Sequence, residues 1–211
     1  MTTIADHPEH TELLQFRLEQ AELFQIESLQ RVAVMAEFRN IDTAEHPIRV
    51  GDLSADIATE IGAEPDYVQR MRWAARLHDI GKIAVPDAIL LKPGKLTPDE
   101  FDVVKTHTTL GAEILSGSSS PTIQLAAEVA LTHHERWDGT GYPYGIGGND
   151  IPLGGRIVTI ADVFDALISA RTYKHSWSAA EAVAYVVEGR GAQFEPRMVD
   201  AFLRVMARRD D

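Results

Sequence analysis

Five of the chain's eight histidines, His46, His78, His107 and the adjacent His133 and His134, stand among apolar residues at helical spacing. A histidine carried into an apolar interior must find a hydrogen-bond partner there or ligate a metal. For one histidine the partner is the commoner outcome; five together, with Asp79 directly after His78, favour a metal centre. The chain has no cysteine. Any metal must therefore be held by imidazole and carboxylate, a donor set that suits iron, manganese or zinc and not copper(I) or clusters. Residues adjacent on a helix point about 100° apart, so His78 with Asp79, or His133 with His134, could address two neighbouring metals or two positions of one. A carboxylate bridging two such cations is an arrangement used to hydrolyse phosphoesters. Asp162 is a charged residue in an otherwise apolar helical stretch; taken alone it fits an exposed or capping position as well as a ligand.

The elements that must position these groups read as helices. From Thr11 to Arg39 there is neither Pro nor Gly, and Leu14, Leu18, Ala21, Leu29, Val32, Ala33 and Ala36 recur at roughly helical spacing, which predicts one long helix or two in series. In its first turns Glu12, Gln15, Arg17, Glu19 and Gln20 leave only a narrow apolar seam. Residues 1–20 are accordingly read as a helical extension or linker, a candidate for homodimerisation, and residues 21–211 as the main domain. Gly62 closes a helix through Ile57 and Ile61, and Pro65 opens one through Val68, Met71, Ala75 and His78. Thr97-Pro98-Asp99-Glu100 is a capping box that launches a helix toward Leu115, and Ser178 with Glu181 repeats the device. Ser116 to Pro121 is a turn, Ser120 and Pro121 start a helix through His134, and Gly189 to Pro196 separates the last two helices. No stretch alternates as a strand would, so the expected fold is an all-α, compact helical bundle. One long irregular stretch, Glu135 to Gly155, is rich in glycine and holds Pro143 and Pro152. Loops of that length inside a compact domain are usually functional or disordered, and its place directly after the histidine pair favours function.

With 211 residues, 45% hydrophobic and 25% charged, the chain is long enough for one well-buried core. The formal charge of -12 argues against broad binding of nucleic acid or of an anionic membrane, both polyanions. An anionic substrate would need local positive charge. Neither an apolar run of eighteen residues nor a secretory leader is visible, which predicts a cytoplasmic protein with no membrane segment.

Four strings, in order and in spacing, resemble the HD-GYP domain: His78-Asp79-Ile80-Gly81-Lys82; Lys105-Thr106-His107-Thr108; His133-His134-Glu135-Arg136-Trp137-Asp138-Gly139-Thr140-Gly141-Tyr142-Pro143; and Ala161-Asp162-Val163-Phe164-Asp165-Ala166-Leu167. The resemblance runs from about residue 21 to the C-terminus. It implies a helical HD domain with a long glycine-rich loop carrying the GYP motif, and a metal-dependent phosphodiesterase that hydrolyses cyclic di-GMP to pGpG, GMP or both. It also implies two or three divalent ions, iron or manganese, held by His46, His78, Asp79, His107, His133, His134 and Asp162, with Asp79 bridging two of them. Lys82, three residues after the pair, returns to the same side, where its ammonium could neutralise phosphate charge or protonate the leaving oxygen. Arg171, Tyr173 and Lys174 look like the family's clamp on the substrate phosphates, supplying the positive charge the chain as a whole lacks. The Gly141-Tyr142-Pro143 loop is associated in the family with proteins that make cyclic di-GMP, and is read as shaping the rim of the site.

The chain departs from the family's pattern at Asp42, where members that bind a third metal usually carry Glu. An aspartate four residues before His46 could reach a third metal if the helix is continuous. Asp42-Thr43-Ala44-Glu45 also reads as a capped helix start, a purely structural role, and Pro47 disfavours the α conformation at His46. Two and three metals both stay open, and with them the product, since trinuclear members are linked with GMP and binuclear ones with pGpG. Two rival functions are a catalytically weak cyclic di-GMP receptor or scaffold, and a hydrolase of a different cyclic dinucleotide.

Overall fold

The computed structural model describes residues 8–38, 45–169 and 177–209, which form the all-α architecture the sequence predicts. Among them no strand forms; one backbone bridge joins Arg190 to Phe194. None of their helices is long and apolar enough to cross a membrane.

α1 (Pro8–Phe38) is a single helix. Its residues from 11 to 25 are largely exposed, and burial begins at Ile26. α2 (His46–Glu60) and α3 (Pro65–Ala74) each carry a proline in the first turn, where the missing N–H costs no helical hydrogen bond. α3 ends sooner than its apolar spacing predicts: Ala75–Leu77 tightens into a 3-10 turn and His78 lies beyond it, followed by a second 3-10 stretch, Ile80–Ala84. α4 (Asp87–Leu90) is one turn. α5 (Pro98–Lys105) and α6 (His107–Leu115) replace the single helix expected from Thr97 to Leu115. The break falls at Thr106, whose N–H donates to the Val103 carbonyl in 3-10 fashion while its hydroxyl donates to the same oxygen at 2.6 Å. Such local side-chain bonds compete with the helical ladder.

α7 (Pro121–Thr132) likewise stops before the histidine pair instead of running through it, with His133 as its C-cap. α8 (Leu153–Ile168) takes over the end of the predicted loop. Gly154 and Gly155 are helical because α8 crosses α7 at close range; a Cβ on Gly155 would stand 2.3 Å from Thr132 Oγ1. α9 (Ala179–Glu188) and α10 (Pro196–Arg209) flank the expected break. Both expected capping boxes form, Thr97 with Glu100 and Ser178 with Glu181, each stabilising its helix by about 1 kcal/mol.

Two apolar cores meet across α7. One gathers Leu53 and Ile57 of α2, Met71 of α3, Ile157 and Phe164 of α8, and Phe202 of α10. The other joins Ile26 and Ala33 of α1 to Leu77, Ile80, Leu115 and Ile123. On α7, Val129 faces the first core while Ile123, Ala126 and Ala130 face the second, the spacing one helical face requires. Leu77 and Ile80 lie immediately either side of His78-Asp79, so the second core grips the segment that carries them. The backbone after that pair also touches α6: a Cβ on Gly81 would fall 1.9 Å from the His107 carbonyl oxygen and 2.5 Å from the Gly111 nitrogen. Both obstacles are main chain and cannot rotate away. Gly81→Ala should therefore destabilise the protein by about 1–3 kcal/mol or more, measured by denaturant unfolding; an unchanged midpoint would show that the two segments can separate freely.

Candidate metal centre

Most of the candidate ligands come from helix ends. His46 opens α2, His107 opens α6, His133 and His134 leave the end of α7, and His78 with Asp79 occupies the joint between the two 3-10 turns. Among the described ligands only Asp162 projects from mid-helix, in α8. The side chains converge in two groups: Asp79, His107, His133 and His134, and His46, His78 and Asp162, with the donor atoms of each group within 4.8 Å of one another. Asp79 Oδ1 lies 3.2 Å from His107 Nε2 and 3.7 Å from His133 Nε2, and its Oδ2 lies 3.2 Å from His78 Nε2. Asp162 Oδ1 is 3.4 Å from His46 Nε2 and 3.6 Å from His78 Nε2. The carboxylate of Asp79 thus stands between the groups, one oxygen turned to each.

The orientation of the imidazoles is set by their other nitrogens. His78 Nδ1 donates to the Ala75 carbonyl at 2.8 Å, His107 Nδ1 to Val104 at 2.7 Å, and His133 Nδ1 to Ala130 at 3.0 Å. His46 Nδ1 donates to Asp165 Oδ2 at 2.7 Å. Because a carbonyl only accepts, these bonds fix the proton on Nδ1 and leave a neutral ring's Nε2 lone pair aimed inward. Ring nitrogens of metal-ligating histidines are fixed in this way. His107 Nε2 and His133 Nε2 face each other at 3.4 Å, two lone pairs that repel unless a cation lies between their directions. His78 Nε2 and Asp79 Oδ1 are buried with no hydrogen-bond partner among the described residues. The donor set and its orphaned atoms fit divalent cations of the imidazole and carboxylate class.

The electrostatics divide in the same way. Burial, aided by the positive field of neighbouring imidazoles, lowers His107 to about 4 and holds His134 well below the usual histidine range, so both stay neutral and ligand-competent. Burial also works against a charge on His46 and His78, yet Asp162 and Asp165 raise His46 to about 9, and Asp79 and Asp162 hold His78 well above its usual range. The carboxylates answer in kind. Against burial, Lys82 and His78 keep Asp79 ionised, and His46 and His78 keep Asp162 ionised.

Lys82 sits with its ammonium on Asp79 Oδ2. Beside the centre opens a cavity of about 400 Å³ whose wall includes His133, His134, Lys105, Glu135 and Tyr142. The Tyr142 ring stacks on His134, with centroids 4.8 Å apart. Asp42, Arg171, Tyr173 and Lys174 lie outside the described residues. One group that the pattern of histidines does not single out is the support of His46. Asp165, whose other oxygen accepts from Arg49 Nε at 2.6 Å, is three residues from Asp162 and so on the same face of α8. That spacing, among the apolar residues of the second half of α8, is the signal that could have found it.

A profile of the HD domain family matches residues 27–198. The chain belongs to the HD domain family. The HD-GYP resemblance falls within it. A cyclic di-GMP phosphodiesterase of Thermotoga maritima is 50% identical over 182 residues, covering 86% of this chain and 50% of its own. The cyclic di-GMP phosphodiesterase response regulator RpfG of Xanthomonas campestris pv. campestris is 50% identical over 178 residues, covering 84% of this chain and 47% of its own. The chain spans about half the length of these relatives. Among solved structures, the cyclic GMP-AMP specific phosphodiesterase V-cGAP3 of V. cholerae shares the fold, with a TM-score of 0.61 at 20% identity, covering 87% of this chain and 48% of that one.

Loss of the carboxylate behind His46 should loosen cation binding without touching a ligand. Asp165→Asn is expected to weaken manganese affinity by about 10–100-fold, read by competition with a chromogenic chelator. Unaltered affinity with the fold intact would remove Asp165 from the centre.

Proposed function

We propose that the chain is a metal-dependent phosphodiesterase that hydrolyses cyclic di-GMP to pGpG, GMP or both. The observation that carries the reading is the pair of adjoining histidine and aspartate groups with Asp79 between them, opening beside a cavity of about 400 Å³. The names of the relatives that are half identical to the chain point to the same substrate. His46, His78 and Asp162 would hold one cation, and His107, His133 and His134 another, with Asp79 shared. Iron or manganese suits these donors, and Asp42 is the proposed ligand of a third ion. When bound, such cations act as Lewis acids toward a phosphoryl oxygen and bring the pKa of a coordinated water to about 7.

The chain's own groups do the rest. Asp79, ionised against burial, keeps negative charge at the centre of the cluster, and Lys82 beside it has a proton to give to the departing oxygen. Arg171, Tyr173 and Lys174 are assigned to the substrate phosphates. The Gly141-Tyr142-Pro143 loop packs its tyrosine against His134, and its outer surface is the proposed contact for proteins that synthesise the messenger. Residues 1–20 are taken as an extension of the domain that follows. The exposed Leu13, Phe16, Leu18 and Phe24 of α1 support a homodimer contact there. The reading sets the reaction in the cytoplasm.

The test is product analysis after incubation of anaerobically purified protein, loaded with iron or manganese, with cyclic di-GMP and with other cyclic dinucleotides. The wild-type chain should release pGpG or GMP, and the double variant His78→Ala/Asp79→Ala should release neither while retaining its helical circular dichroism. Turnover that survives the double substitution would sink the mechanism. Tight binding without turnover at full metal content would mark a receptor, and preference for another cyclic dinucleotide would move the substrate.

A further inference from the structure

A cyclic dinucleotide is a ring closed by two phosphodiesters and carrying two bases, and a metal centre cuts one of its phosphates at a time. The other phosphate and a base must then lie against protein, here in a chain whose formal charge is -12. Resting on the phosphodiesterase reading, we propose that one face of α5, formed by Phe101 and Lys105, is the subsite for that second half of the substrate. Lys105 binds the phosphate that is not being cut, and Phe101 stacks on a base.

Position is the first support. Four residues apart on α5, Phe101 and Lys105 share one helical face, and both belong to the wall of the cavity beside the metal centre. The Lys105 ammonium stands 4.9 Å from the centroid of the Phe101 ring and 5.8 Å from that of Tyr142. Tyr142 in turn stacks on His134. One ring therefore separates the ammonium from the candidate ligands, and a molecule that reaches the cations with one phosphate can lay its remainder along α5.

The charges of the site single out Lys105. Arg136 is engaged by its own loop, with Nε donating to Thr140 Oγ1 at 2.9 Å and Nη2 to Asp138 Oδ2 at 3.0 Å. Lys82 is held on Asp79. Glu135, the acidic residue of the wall, is 1% exposed and accepts from the Tyr144 N–H at 2.8 Å, which turns its carboxylate to the backbone of the loop. Lys105 pairs instead with Asp102, at 2.7 Å. Asp102 stands outside the cavity wall with a side chain 69% exposed, and an ion pair so open to water contributes little. An ammonium has three donors, so a phosphate can be bound beside that carboxylate or in its place.

Phe101 is an apolar ring left 44% exposed at the rim of a polar cavity. An aromatic plane there gives a nucleobase a stacking surface, and because every base has a π-face, such stacking is tolerant of base identity. The subsite thus adds affinity for cyclic dinucleotides as a class, and discrimination between bases falls to other contacts.

The test is steady-state kinetics of the full chain, loaded with manganese, on the cyclic dinucleotide that the wild type cleaves best. Lys105→Gln and Phe101→Ala should each raise KM about tenfold or more while kcat falls by less than about threefold, as loss of binding remote from the reacting bond implies. Lys105→Arg and Phe101→Tyr should restore most of the loss. Asp102→Asn, which breaks the surface pair but keeps the ammonium, should not raise KM. An unmoved KM in either Lys105→Gln or Phe101→Ala, a loss confined to kcat, or an Asp102→Asn variant that reproduces the Lys105→Gln loss would overturn the subsite and leave the phosphodiesterase reading standing. A wild type that cleaves no cyclic dinucleotide would overturn both.

Discussion

A buried, ionised carboxylate at the meeting point of four imidazoles is the constraint that organises this protein. Asp79 is only 7% exposed, and a charge taken that far from water carries a penalty of several kcal/mol unless it is surrounded by compensating groups. The fold provides them: Lys82 on one oxygen, His78 beside it, and His107 and His133 facing the other. Each compensating group is in turn fixed by main chain or by packing. The close approach of Gly81 to α6 and the grip of Leu77 and Ile80 on the second core are what keep this balance of charges in register.

Using helix ends as the source of ligands follows from the same constraint. At the end of a helix the last carbonyls lack intrahelical partners, and the His133 Nδ1 proton goes to such an oxygen, that of Ala130. One imidazole therefore satisfies a stranded carbonyl with one nitrogen and presents the other to the centre. A histidine in mid-helix would find those carbonyls already engaged. Among the described ligands the one in mid-helix, Asp162, has no N–H to satisfy and is steadied by His46 and His78 across the cluster.

How much of this could be read in the sequence follows from the range of the forces involved. Capping boxes and proline starts are local chemistry, and α5, α7 and α9 begin where Thr97, Ser120 and Ser178 say they should. The all-α class and the clustering of histidines among apolar residues were legible as well. Helix ends near the ligands were not: apolar periodicity continues through His78, Thr106 and His133, although the backbone tightens or turns at each. Those departures are imposed by contacts between segments far apart in sequence. Gly154 and Gly155 mislead for the same reason, since a glycine that allows two helices to touch looks in sequence like a glycine that ends one. Asp165 was part of a motif string, but its role depends on His46 and Arg49, more than a hundred residues away.

α7 belongs to both apolar cores, with Val129 on one face and Ile123, Ala126 and Ala130 on the other. No plane of weak contact therefore divides the molecule at this helix, and displacing α7 would strip packing from both cores at once. The two halves of the bundle are therefore expected to melt together, with the histidine pair at the end of α7 anchored where both cores meet.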